Sequence, residues 1–199
     1  MSSGRWLSRQ AADPYVKQAQ RQGYRGRAAF KLIELDRRDR FLRPGLKVVD
    51  LGAAPGAWSQ VAVERVGPRG RVVALDLLPI DPIDGVDFIQ GDFREPEVLQ
   101  RLEELVDDKI GLVLSDMAPN LSGIAASDQA RSMELAELAL EFALTRLNSD
   151  GVFVVKLFQG EGFDAFVRRV RGEMARVRLR KPDASRKESR EIYLVADSR

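Results

Sequence analysis

The sequence predicts an α/β fold: a mostly parallel seven-stranded sheet with an antiparallel last strand and helices on both faces. Three observations predict it. From residue 47 onward, strand-like apolar segments alternate with helical ones, the pattern of helices layered on a sheet. The strand segments, such as GVFVVKLF over 151–158, are too apolar to alternate, so both of their faces are covered. The last two strand segments, near 175–181 and 191–196, are separated by about nine residues with no helical pattern, so they pair as a hairpin.

Taken in order, residues 1–12 are polar and basic and are expected to form a flexible tail. From Asp13, DPYVKQAQRQG reads as a short helix with an acidic cap, a first-turn proline and Gly23 as terminator. A second helix over about 27–38 sets Ala28, Phe30, Leu32, Ile33 and Leu35 among charges, with Lys31 beside them. The core pattern then runs strand 47–51, helix 56–66, strand 71–76, strand 86–90, helix 96–106 and strand 110–115. A long helix is expected over 128–147, where Met133, Leu135, Leu138, Phe142 and Leu147 supply an apolar stripe. Strand 151–158, a helix near 162–174 and the closing hairpin complete the chain. Residues 118–130 and 159–163 read as long loops beside the site.

Composition narrows the chemistry. There is no cysteine and no histidine among the 199 residues. Disulfides, thiolate metal sites and cysteine nucleophiles are therefore excluded, and a general base must be Asp, Glu, Lys, Tyr or a terminal amine. No apolar run reaches the roughly 20 residues of a membrane span, and no signal core opens the chain, so a cytoplasmic protein is expected. The net charge of +2 hides a strong segregation. Residues 1–47 carry 12 Lys and Arg against 4 acids, and residues 165–199 carry 11 against 5. The stretch between them carries 9 against 21. Two basic ends around an acidic centre fit a phosphate-backbone partner, with Arg25, Arg27 and Lys187 as candidate contacts. Solvated helix faces bridged to the core are the plainer alternative.

One stretch organises the rest: KVVDLGAAPGAWSQ, over 47–60. It reads as strand, tight turn and helix start, with Asp50 at the strand end and Gly52 and Gly56 in the turn. Gly52 can take a positive φ and admit a ligand close to the backbone. The unpaired N–H groups of the helix start attract an anion. Asp76 closes the next strand 24 residues after Gly52, near where a Rossmann-type site holds ribose hydroxyls. The third glycine of the dinucleotide fingerprint is absent, which favours a nucleoside without a pyrophosphate. A plain glycine turn between strand and helix remains the other reading.

Ligands of such sheets sit beyond the carboxyl ends of the strands. Those ends carry Asp50 with Gly52, then Asp76, Asp92, Asp116 and Lys156, and the final strand begins at Glu191. Any one charged terminus is ordinary; six in succession on one edge point to a site. Lys156 stands out because its strand is otherwise apolar. A lysine held there with a second cation gives up its proton more readily, which makes it a usable base in a chain lacking histidine.

Together the motifs DLGAAPGAWSQ, DLLP from Asp76, GDF around Asp92, SDMAPN around Asp116, VVKLFQGEGF around Lys156 and RKPDASR leading to Glu191 carry a family resemblance. With YRGRAAFK ending at Lys31, they closely resemble the bacterial FtsJ/RrmJ-type ribosomal RNA methyltransferases, over nearly the whole chain. The resemblance implies a Rossmann-like methyltransferase domain over 13–199, with N-terminal helices in 13–45 and the core in 46–199. It also implies S-adenosylmethionine as cofactor and methyl transfer to the 2′-hydroxyl of a uridine in large-subunit ribosomal RNA, within the assembled subunit, by a monomer. The family's catalytic tetrad falls on Lys31, Asp116, Lys156 and Glu191, and its cofactor contacts on Gly56, Trp58, Asp76, Asp92 and Asp116, with Gly52 in the same turn. For Trp58 a place in the core is an equal expectation. Ala57 stands where the family usually has a second glycine. No metal is expected, because a sulfonium methyl is already activated and two lysines would repel a cation.

Rival chemistries fit less well. C5-pyrimidine methylation needs a thiolate, which this chain lacks. The Asp116-Met-Ala-Pro loop differs from the Asp/Asn-Pro-Pro-aromatic loop of exocyclic-amine methylation. A nicotinamide oxidoreductase is disfavoured by the missing glycine. A non-catalytic assembly factor would have no use for the complete tetrad.

Overall fold

The computed structural model describes residues 13–106, 109–120 and 122–199; the tail expected over 1–12 lies outside the described residues. Helix α1 (Pro14–Gln22) begins as expected: the Tyr15 N–H donates to the Asp13 carboxylate, and Gly23 at φ 76° ends it. Helix α2 (Ala28–Asp39) ends at Arg40 in the left-handed region. The core follows as β1 (Lys47–Leu51), α3 (Ala57–Val66), β2 (Arg71–Asp76), β3 (Val86–Gln90), α4 (Pro96–Val106) and β4 (Ile110–Ser115). Then come α5 (Ala125–Arg146), β5 (Leu147–Phe158), α6 (Phe163–Glu173), β6 (Val177–Arg180) and β7 (Glu191–Asp197).

The seven strands lie in the order β3-β2-β1-β4-β5-β7-β6. All pairs from β3 to β5 are parallel, and β7 runs antiparallel to both β5 and β6. The strand order reverses between β1 and β4, and this opens the crevice at their carboxyl ends. Two boundaries differ from expectation. Helix α5 starts at Ala125, because the Asp128 carboxylate accepts the Ser122 and Gly123 N–H groups and organises the turn ahead of it. Strand β5 starts at Leu147: Ile110 pairs with Leu147 and Leu112 with Val152, so the polar 148–151 stretch is taken up in an irregularity of the strand.

Each sheet face has its own core. Helices α4, α5 and α6 cover Val49, Leu51, Val73, Leu75, Val113, Phe153, Val155 and Leu157. Helices α2 and α3 cover Val48, Val72, Leu112, Leu114, Val154, Tyr193 and Val195. Trp58, in the first turn of α3, locks the second layer. Its side chain is buried, its Nε1–H donates to the Ala28 carbonyl at 2.8 Å, and its ring lies 5.7 Å from that of Tyr193. The indole thus takes the core place that was one of the two expectations for Trp58. Among the described residues, no helix is long and apolar enough to cross a membrane.

Trp58→Phe loses the bond to the Ala28 carbonyl and part of the buried indole's packing, so it is expected to cost about 1–3 kcal/mol in urea unfolding. Affinity for S-adenosylhomocysteine should stay within about threefold for the folded variant, a change of under 1 kcal/mol. A large loss of ligand affinity at unchanged stability would assign the indole to the ligand.

Candidate active site

The crevice is built from two halves. On the β4-β5-β7 side, Lys156 projects from β5 on the face covered by α2, directly opposite Tyr193 of β7. Its ammonium donates to the Asp116 carbonyl at 2.6 Å and lies 3.1 Å from the Asp116 carboxylate. The Tyr193 hydroxyl donates to the same carboxylate oxygen at 3.0 Å. Lys31, reaching in from α2, pairs with Glu191 at 2.7 Å and stands 5.8 Å from the centre of the Tyr193 ring. These four charged side chains retain only 9–19 % exposure, so their attraction is weakly screened.

The electrostatics follow from burial. For Glu191 burial favours the neutral acid, but the adjacent Lys31 ammonium, the Ser185 hydroxyl and the more distant Lys156 outweigh it and hold the group below its ordinary value. Tyr193 is pushed well above the ordinary phenol value by burial and by the Asp116 and Glu191 carboxylates, so it stays a hydrogen-bond donor. Asp50 is fully buried at the end of β1. The Ser59 hydroxyl donates to it at 2.6 Å, yet burial, with Asp116 and Asp76 nearby, raises it to about 7. Asp50 therefore ties β1 to the first turn of α3 from beneath the crevice floor.

The β1-β2-β3 half presents the other expected residues. Asp76 accepts the Ala54 N–H on one carboxylate oxygen and the Leu78 N–H on the other, each at 2.8 Å. Asp92 is gripped by the Arg94 guanidinium, which holds it below the ordinary carboxylate value against the cost of partial burial. Gly52 takes the positive φ expected of it (79°), and its lack of a Cβ also serves packing. A Cβ there would lie 2.8 Å from the Met117 backbone, so glycine is needed for the turn to pass against the chain leaving β4. That contact, with the Asp116 N–H donating to the Leu51 carbonyl, fixes one half of the crevice against the other.

The tetrad thus assembles as two ion pairs, while Asp76 and Asp92 sit across the β1/β4 reversal from Lys156. Two residues missed in the sequence complete it: Tyr193, which shares a face with Glu191 by period-two alternation, and Ser185, beside Glu191. Two arginines expected to face an RNA also bind within the fold. The Arg25 guanidinium donates to the Pro55, Asp81 and Pro82 carbonyls, and Arg27 pairs with Asp13 and donates to the Ala184 carbonyl.

Because Asp50 binds its proton more tightly in the folded chain than at its ordinary value of 3.8, the folded state holds the extra proton between about pH 4 and pH 7. Its contribution to stability is present below that window and is lost as pH rises through it. Asp50→Asn, which keeps an acceptor for Ser59, should flatten the dependence of the urea midpoint on pH between 5 and about 7.5. An unchanged slope would remove Asp50 as its source.

Known proteins resemble this chain in sequence and in fold. Residues 24–199 match the sequence model of the FtsJ-like methyltransferase family. The chain is 56% identical over 196 residues to the ribosomal RNA large subunit methyltransferase E of Marinobacter nauticus, covering 98% of this chain and 95% of that one. A crystal structure described as a ribosomal RNA methyltransferase of Plasmodium falciparum shares 34% identity and superposes with a TM-score of 0.79, covering 88% of this chain and 98% of that one. A Streptococcus mutans methyltransferase solved with S-adenosylhomocysteine, at 13% identity and a TM-score of 0.53 over 86% of this chain and 95% of its own, shares the fold alone. The chain belongs to the FtsJ-like methyltransferase family.

Proposed function

We propose that this enzyme transfers the methyl group of S-adenosylmethionine to the 2′-hydroxyl of a uridine ribose in large-subunit ribosomal RNA, acting in the cytoplasm as a monomer on the assembled subunit. The observation that carries the reading is the Lys156–Asp116 pair, buried beside Lys31–Glu191 at the open end of the crevice. The name of the Marinobacter relative supports the RNA substrate.

The residues present fit the cofactor. Each oxygen of Asp76 accepts a single backbone N–H, leaving a second lone pair for a ribose hydroxyl. Asp92, oriented by Arg94, suits an adenine amine, and the exposed Leu77 and Leu78 offer apolar surface between them. The Gly52–Gly56 turn and the first N–H groups of α3 suit the methionine carboxylate. Asp116, joined to β1 through Leu51, stands where the two ligands would meet.

Bound S-adenosylmethionine supplies a methyl already activated by its sulfonium, leaving alignment and proton removal to the protein. Alignment can supply at most roughly 7–11 kcal/mol. Once the Lys156 ammonium has given its resting proton to solvent, the amine takes the 2′-proton on the freed lone pair. Of the three N–H donors it then carries, one is received by the Asp116 carbonyl and one by its carboxylate, and the third stays directed at the sugar. Tyr193 holds the accepting carboxylate oxygen in place. Lys31 and Glu191, each fixed by the other, bind the ribose and keep a second positive charge close to the forming oxyanion.

Incubation with labelled S-adenosylmethionine and unmethylated large subunits should yield a single 2′-O-methyluridine in the RNA. Lys156→Ala should lower that turnover by at least about 10²-fold while S-adenosylhomocysteine still binds. Label on a base, or turnover retained without Lys156, would contradict the reading.

A further inference from the structure

Arg25 and Arg27 are tied within the fold to backbone carbonyls and to Asp13, and exposed cations elsewhere carry no such ties. A groove of about 320 Å³ opens between the C-terminal half of α2 and the β6–β7 connection. Glu34, Arg37 and Arg38 form one wall, and Arg180, Lys181 and Asp183 the other. The charges within it differ in availability. Arg180 is bound by Asp39 through two contacts of 2.9 Å, and Lys181 donates to the Ser189 carbonyl. Glu34 is occupied as well: its carboxylate receives the Ala184 N–H on both oxygens at 3.2 Å. The Arg37 and Arg38 side chains are exposed and, among the described residues, make no hydrogen bond or ion pair.

Both walls of the groove continue into the catalytic tetrad. Along α2, Glu34 is one turn from Lys31, and Arg38 lies two turns from it, about 10.5 Å along the axis. In the opposite wall, Ala184 bonds Glu34, and the next residue, Ser185, stands against Glu191. A strand whose sugar lies between Lys156 and Lys31 therefore reaches this groove along α2, past a Glu34 already bonded to Ala184.

We propose that the groove seats a backbone phosphate of the RNA strand flanking the target ribose, with Arg37 and Arg38 as its ligands. The inference rests on the RNA reading above. A pair of uncommitted guanidinium groups presents forked donors suited to phosphate oxygens, and such contacts position a strand without reading its bases.

The test compares Arg37→Ala/Arg38→Ala with Arg168→Ala/Arg171→Ala, a charge-matched pair on α6 across the sheet. Protein-free large-subunit RNA is titrated at several salt concentrations, and S-adenosylhomocysteine binding checks that each variant is folded. The groove variant should bind RNA at least about tenfold more weakly. Its salt slope should fall by about 1.4, or about 0.7 for each lost single-strand phosphate contact. The α6 variant should behave as the wild type. Equal affinity and slope in the groove variant, or the same loss in both variants, would overturn the proposal. So would weakening seen with assembled subunits and absent with protein-free RNA, which would make the groove a protein contact. Methyl transfer by the wild type is scored separately. Its absence would sink the RNA reading itself, whereas its presence beside an unaffected groove variant would sink the groove alone.

Discussion

The hydrogen-bonded ion pair between Lys156 and Asp116 is the contact on which the site depends. It joins a side chain of β5 to the chain just past β4, and it does so on two atoms, the Asp116 carbonyl and carboxylate. A cation nearly removed from water needs that second acceptor, because a single unpaired position there would cost as much as the pair gains. Tyr193 completes the arrangement from the antiparallel strand, and burial keeps its phenol protonated. The antiparallel β7 is thus more than an edge to the sheet. It reverses the strand so that Glu191 and Tyr193 enter the crevice beside Lys156.

Around that pair, packing and chemistry share the same residues. Trp58 holds α2 through Ala28, three positions ahead of Lys31, and packs at a tilt against Tyr193. The orientation of two site residues is therefore set by one core side chain. Gly52 does comparable work for the backbone, since only glycine lets the turn after β1 lie against Met117. Beneath both, Asp50 is buried at a cost, and its bond to Ser59 fixes the start of α3 to the sheet. The Asp76–Asp92 half and the Lys156–Asp116 half of the crevice are joined by these short contacts across the β1/β4 reversal.

Much of this was legible in the residues. The sheet, its antiparallel last strand and the row of charged strand ends followed from apolar runs and from where each run stopped. Lys156 announced itself as the one charge in an apolar strand. Lys31 did not, because its meaning comes from Glu191, 160 positions away, and helical periodicity sees only near neighbours. Tyr193 was hidden for the same reason: its register opposite Lys156 is a property of the paired strands. Charge counting could not reveal that Arg25 and Arg27 also bind within the fold, since a guanidinium that caps carbonyls looks the same in sequence as one facing solvent. The early start of α5 and the irregular start of β5 depend on a side-chain bond and a register shift, neither of which leaves a periodic trace.

The most direct measurement is single-turnover methyl transfer by Lys156→Arg, with cofactor saturating and unmethylated large subunits as acceptor. Arginine preserves the positive charge and the donors toward Asp116 but cannot release a proton. If Lys156 accepts the 2′-proton, transfer falls by at least about 10²-fold while S-adenosylhomocysteine affinity and the unfolding midpoint stay close to wild type. Transfer at the wild-type rate would show that a cation at this position is sufficient, and the assignment of a base to the end of β5 would be wrong.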